Sequence, residues 1–145
     1  MKTVITYGTF DLMHYGHYNL LKRAKELGDV LIVGVSSDEF CLQKGKQTAY
    51  PQEKRMEMVA DLRFVDLVIL ENDLSQKIED VKKYKADIFC LGDDYKDIFP
   101  KMPEYKVLKD MGCEIVFLPR TPDISTTRLK KNLIDEDKIN KFFKK

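Results

Sequence analysis

The chain is poor in the residues from which metal sites and disulfide scaffolds are built. Its three cysteines, Cys41, Cys90 and Cys113, are far apart and form no CxxC pair. Only two histidines, His14 and His17, could assist them. Neither a structural zinc site nor a disulfide framework is expected, and the thiols read as reduced. Charge of one sign is missing as well: 25 Lys plus Arg against 24 Asp plus Glu leave a net charge of +1. Nucleic acid and anionic membranes favour a concentrated basic face, so neither is an expected partner. No apolar run approaches the roughly 18 residues of a membrane span, and no signal-peptide pattern precedes the first strand-like segment. Repeats, low-complexity tracts and linkers are also lacking. Together these absences suggest a cytoplasmic, single-domain protein. At 145 residues the chain is long enough to bury a real core.

What is present is an alternation of apolar, β-branched runs with helical patterns. Strands are expected at Thr3–Tyr7, Val30–Val35, Leu67–Leu70, Ile88–Leu91 and Glu114–Leu118. After His17, residues Leu20, Leu21, Ala24 and Leu27 fall at helical spacing and stop at Gly28. Pro51 suits the first turn of a helix that buries Met56, Val59, Ala60 and Leu62. Further helices are expected over Ile78–Tyr84, Tyr105–Met111 and Arg128–Leu133. Residues 37–50 are polar and without periodicity and read as a loop. The order β-α-β-α-β-α-β-α-β-α predicts an α/β fold, a five-stranded parallel sheet with helices on both faces. The domain is expected over residues 1–133, with a charged tail at 134–145, helical or frayed.

In such folds ligands bind beyond the carboxyl ends of the strands, and three motifs fall there. The first is Tyr7-Gly8-Thr9-Phe10-Asp11-Leu12-Met13-His14-Tyr15-Gly16-His17. His14 and His17 lie three apart at a helix opening and so point to one side. Beside unpaired helix N–H groups they make a site for an anion, most plainly phosphate. Gly8 and Gly16 leave room for a phosphate to approach the backbone. The second motif, Gly92-Asp93-Asp94, ends a strand; by itself it also reads as a turn with acidic caps. In the third, Arg120 to Thr127, the hydroxyls of Ser125, Thr126 and Thr127 precede a helix and can cap it or grip a phosphate. Arg120 adds a fixed charge with fork geometry. Lys44 and Lys46 flank Gly45 in the polar loop; alone such a pair is solvated surface.

Thr9-Phe10-Asp11 leading to His14-x-Gly16-His17 resembles the signature of the HxGH nucleotidyltransferase superfamily, in its cytidylyltransferase family. Arg120-Thr121-Pro122-Asp123-Ile124-Ser125-Thr126-Thr127 resembles the RTxxISTT element of the same group. Lys44-Gly45-Lys46, Arg63-Phe64-Val65-Asp66 and Gly92-Asp93-Asp94 are similar to its glycerol-phosphate branch. The resemblance covers residues 1 to about 131 and implies a Rossmann-like nucleotidylyltransferase fold. It implies that CTP and glycerol 3-phosphate react to CDP-glycerol and pyrophosphate, feeding teichoic-acid-like or other surface polymers. Ethanolamine, choline or a polyol phosphate is the alternative acceptor, and a non-catalytic nucleotide-binding module the alternative class.

The resemblance assigns catalysis to His14, His17, Lys46 and Arg120. It places Gly8, Thr9, Phe10, Gly16, Asp94, Thr121, Ile124, Ser125, Thr126 and Thr127 with them at the nucleotide. Lys44 and Lys77 fall to the substrate phosphate; Asp11 and Arg55 are further substrate-side candidates. Asp11 alternatively positions the histidine loop or helps to hold a magnesium ion, the cofactor the resemblance implies through ligands the sequence does not identify. Arg63–Asp66 resembles a subunit-interface segment, so a homodimer is expected; the other reading is a loop salt bridge entering the third strand. A phosphate monoester is already ionised at neutral pH, so no general base is needed. Catalysis then rests on positioning and on charge stabilisation at the α-phosphate. Residues 96–106, with Pro100 and Pro103, look longer than the corresponding family stretch and follow the Asp94 loop directly.

Overall fold

The structure, a computed structural model, describes residues 1–119. The Arg120–Thr127 motif, the expected helix over Arg128–Leu133 and the tail lie outside them. Five strands form one parallel sheet: β1 (Thr3–Gly8), β2 (Val30–Ser36), β3 (Leu67–Glu71), β4 (Ile88–Gly92) and β5 (Glu114–Leu118). Their order is β3-β2-β1-β4-β5. Central β1 pairs with β2 from Thr3↔Val30 to Gly8↔Val35 and with β4 from Val4↔Ile88 to Thr6↔Cys90. The chain therefore reverses its direction of winding between β1 and β4. That switch point is where a crevice opens in a doubly wound sheet.

Alternation along the strands divides the core in two. Val4, Leu31, Val33 and Ile88 face α1 (Tyr15–Glu26) and α3 (Gln52–Ala60), which contribute Leu21, Ala24 and Val59. Ile5, Ile32 and Phe89 face α4 (Gln76–Tyr84) and α5 (Pro103–Asp110), which contribute Val81 and Leu108. Strands buried on both sides read as continuous apolar runs, and these do.

Three local expectations need correction. Residues 37–50 are not all loop: α2 (Asp38–Gln43) is capped by Ser37, whose Oγ accepts the Phe40 N–H at 3.1 Å. Six residues are too few to show a period, but Ser37-Asp38-Glu39 is a readable start signal. In α3 the apolar face includes a charged residue. Arg55 and Val59 are buried, Met56 and Leu62 pack against the core, and Ala60 is exposed. Pro51 is the N-cap of that helix and not part of its first turn. Residues 93–102 are built from two 3-10 turns, Asp93–Tyr95 and Phe99–Lys101, which lead straight into α5 at Pro103.

Candidate active site

The two histidines form a cap, one on the other. His14 is the N-cap of α1, its Nδ1 accepting the Gly16 N–H at 3.0 Å. His17, in the first turn, turns its Nδ1 back to the His14 N–H at 3.2 Å. The rings stack with centroids 4.0 Å apart. With both Nδ1 atoms accepting backbone N–H bonds, the proton of each neutral ring belongs on Nε2. Burial, and next the neighbouring His14, lower the pKa of His17 from 6.5 to about 4. At neutral pH His17 is an uncharged donor.

The loop before them is held under strain. Phe10 and Leu12 take positive φ, 54° and 48°, a region unfavourable for bulky residues. Burial of Phe10, whose ring meets His17 edge-on at 5.8 Å, holds that backbone in place. The ring also explains Gly8: a Cβ there would stand 2.8 Å from Phe10. Gly8 thus makes room for the chain's own aromatic ring, a requirement separate from any phosphate.

Asp11 and Arg55, expected on the substrate side, are turned into the scaffold. The Asp11 carboxylate accepts the Ala49 and Tyr50 N–H groups at 2.7 and 3.0 Å, tying the histidine loop to the lysine loop. Arg55 is fully buried. It donates through Nη1 to the Thr9 and Ser36 carbonyls, through Nε to the Tyr50 carbonyl and through Nη2 to Asp38. One guanidinium fork thereby joins the ends of β1 and β2 to both loops. Its hydrogen bond holds the Asp38 carboxyl below the ordinary range.

On the other side of β1 lies a cleft of about 220 Å³. Gly8 and Thr9 border it, and Lys44, Lys46 and Lys77 bring positive charge to it. Lys44 Nζ is 3.4 Å from Ser36 Oγ and 4.2 Å above the Phe40 ring. Burial lowers its pKa, which Glu71 partly restores. Lys77 pairs with buried Glu71 and lies 5.0 Å over the Tyr7 ring. Glu71 also accepts the Ser36 hydroxyl at 3.2 Å. Tyr7 is fixed in turn by Asp80, which accepts its hydroxyl at 2.7 Å. Burial, reinforced by Asp80, pushes that phenol above its ordinary range.

His14, His17, Asp11, Asp94 and Arg55 do not line the cleft. The exposed Asp94 carboxylate folds back over Gly92, where a Cβ would meet its Oδ1 at 2.5 Å. Sequence reasoning missed Tyr7, Ser36, Glu71, Tyr95, Phe99 and Met102, all on the cleft. Ser36 and Glu71 had one available signal, their position at the carboxyl ends of strands.

The family model described as cytidylyltransferase-like matches residues 5–132. The chain belongs to the cytidylyltransferase-like family. Among its curated relatives, the glycerol-3-phosphate cytidylyltransferase of Bacillus spizizenii is 50% identical over 133 residues, covering 92% of this chain and 98% of that one. The Staphylococcus aureus enzyme of the same name is 48% identical over 137 residues, 94% of this chain and 98% of its own. A lipopolysaccharide core biosynthesis protein from Thermoplasma volcanium, solved as a crystal structure, superposes with a TM-score of 0.66 at 29% identity. It covers 83% of this chain and 97% of its own.

The two compartments differ in chemistry. The histidine cap sits at the start of α1, with uncharged His17 in its first turn; the cleft holds positive charge beside a hydroxyl and a carboxylate. No group of three His, Cys, Asp or Glu among the described residues could hold a metal ion. Asp11, the expected candidate, is committed to two backbone N–H groups. Among the described residues, no helix is long and apolar enough to cross a membrane.

Proposed function

We infer that this protein is an enzyme that transfers the cytidylyl group of CTP to the phosphate of glycerol 3-phosphate. A phosphate oxygen of the acceptor bonds to the α-phosphorus of CTP, and the bond to the β-phosphate breaks. CDP-glycerol forms and pyrophosphate leaves. The observation that carries this reading is identity of about half to two glycerol-3-phosphate cytidylyltransferases over nearly the full length of both chains. The site agrees with it chemically. His14 and His17 are arranged as Nε2–H donors, which suits charge growing on phosphate oxygens and not proton abstraction.

In this reading the triphosphate lies against Gly8, Thr9, Phe10, Gly16 and the histidine pair, with Lys46 reaching it from the loop. Asp94 and the motif Arg120, Thr121, Ile124, Ser125, Thr126 and Thr127 complete the nucleotide side by resemblance. Lys44 and Lys77 take the acceptor phosphate in the cleft. Asp11 and Arg55 position the loops. Magnesium enters as the counter-ion of CTP, part of the substrate, since such ions need few protein ligands. The product serves teichoic-acid-like or related surface-polymer synthesis, and the enzyme works in the cytoplasm. It acts as a homodimer: exposed Tyr15 stacks on Tyr18 at 6.0 Å, and Tyr18 meets Phe64 edge-on at 5.2 Å, an aromatic strip beside Arg63–Asp66.

The test is pyrophosphate release with Mg²⁺, CTP or ATP, and a panel of phosphorylated alcohols. Release with CTP and glycerol 3-phosphate is expected. No release with any pair refutes the enzyme, and release only with another acceptor refutes the substrate.

A further inference from the structure

The cleft has two chemically different ends. Exposed Lys44 and Lys46 stand at its rim; buried Phe89 and Phe99 form its floor. These rings stack 5.4 Å apart and 13° from parallel, with Tyr105 edge-on to Phe99 at 5.8 Å. Phe99, half-buried Met102 and, at the rim, Tyr95 come from the longer stretch noted after Asp94. Its backbone is bonded along its length: Ile98 N–H to the Tyr95 carbonyl at 3.1 Å, Lys101 N–H to Ile98 at 3.2 Å, and Met102 N–H to Phe99 at 2.9 Å. Met102 ends the second 3-10 turn and is also the N-cap of α5. Its main chain is thus pinned from both sides, while its side chain lines the cleft.

We propose that Met102, backed by Phe99, sets the depth of the cleft and so selects phosphate esters of short polyols over longer ones. The inference rests on reading the cleft as the acceptor site. A phosphate held by Lys44 and Lys77 fixes one end of the acceptor. Glu71 and Ser36 offer polar partners close to those lysines, at the Lys77–Glu71 pair and the Lys44–Ser36 contact. The floor is made of Phe89, Phe99 and Met102, which offer a hydroxyl no comparable partner. A longer tail would push a hydroxyl against that apolar wall, losing its hydration without a replacement hydrogen bond. Poor fit of one extra group in a pocket typically changes selectivity by about 10- to 200-fold.

The experiment compares kcat/KM for glycerol 3-phosphate, erythritol 4-phosphate and ribitol 5-phosphate, with CTP saturating, in the wild type, Met102→Ala and Met102→Phe. The wild type should prefer glycerol 3-phosphate. Met102→Ala should narrow its preference over ribitol 5-phosphate by about 10-fold or more, with KM for CTP unchanged. Met102→Phe, by shortening the cleft, should raise KM for glycerol 3-phosphate with little change in CTP binding. An unchanged selectivity ratio in a Met102→Ala enzyme that still binds CTP overturns the proposal. If the Ala variant does not fold, an unchanged acceptor KM in Met102→Phe overturns it. A wild type inactive with every acceptor removes the underlying reading and this inference with it; a wild type active on glycerol 3-phosphate with invariant selectivity removes the inference alone.

Discussion

His14 and His17 do two jobs with two nitrogens. Nδ1 of each ring builds the start of the helix, and in the proposed reaction Nε2–H is the donor. Removing a preorganised donor of this kind costs on the order of 10²- to 10³-fold in turnover. His14→Asn retains a side-chain acceptor suited to an N-cap, so kcat should fall by that order while the thermal midpoint stays near the wild-type value. Comparable turnover in the variant would sink the role. His17 also predicts a pH dependence. Its folded-state pKa, about 4, lies below the ordinary 6.5, so protons bind the unfolded chain more readily. Its contribution to stability is complete above about pH 6.5 and is lost as pH falls toward about 4. Thermal melts across that window should show a shallower loss in His17→Gln than in the wild type.

At the scale of elements, the site exists because three loops are locked to one buried arginine. Arg55 and Asp11 bond the β1 loop, the end of β2 and the lysine loop by their backbones. Arg55→Ala leaves buried carbonyls unpaired and should cost on the order of 3 kcal/mol in denaturant unfolding. KM for both substrates should rise with that loss. A residue touching only substrate would instead change activity at unchanged stability, and that outcome would return Arg55 to the substrate side. Apolar periodicity does not reveal such a residue, because a charged side chain on a helix face ordinarily reads as solvent-facing. Of its partners only Tyr50 is near in the chain: the Thr9 carbonyl is 46 residues away.

For the whole molecule, the winding order decides where chemistry can occur. With β1 central and the chain diverging to β2 and β4, the histidine loop falls on one side of the β1 end and the lysine-lined cleft on the other. Asp66, read from sequence as an interface or a loop salt bridge, makes the salt bridge. It pairs with Lys25 at 2.6 Å and accepts the Leu31 N–H at 2.7 Å. The dimer proposal therefore rests on the aromatic strip beside it. Sedimentation equilibrium should show a dimer for the wild type and a shift toward monomer for Tyr15→Glu, since a carboxylate in an apolar contact is expensive to desolvate. A monomeric wild type overturns it.

The strands, the alternation of layers and the histidine signature were legible in the residues alone. Periodicity, β-branching and motif spacing are local properties, and the family resemblance rests on contiguous motifs. Only the tertiary structure decided that Asp11 and Arg55 face the scaffold, that Gly8 makes room for Phe10, and that Glu71, Phe99 and Met102 share a cleft. Those facts depend on burial and on hydrogen bonds between segments distant in the chain. No local pattern encodes which distant carbonyl a buried guanidinium will meet; packing of the two cores against the sheet does.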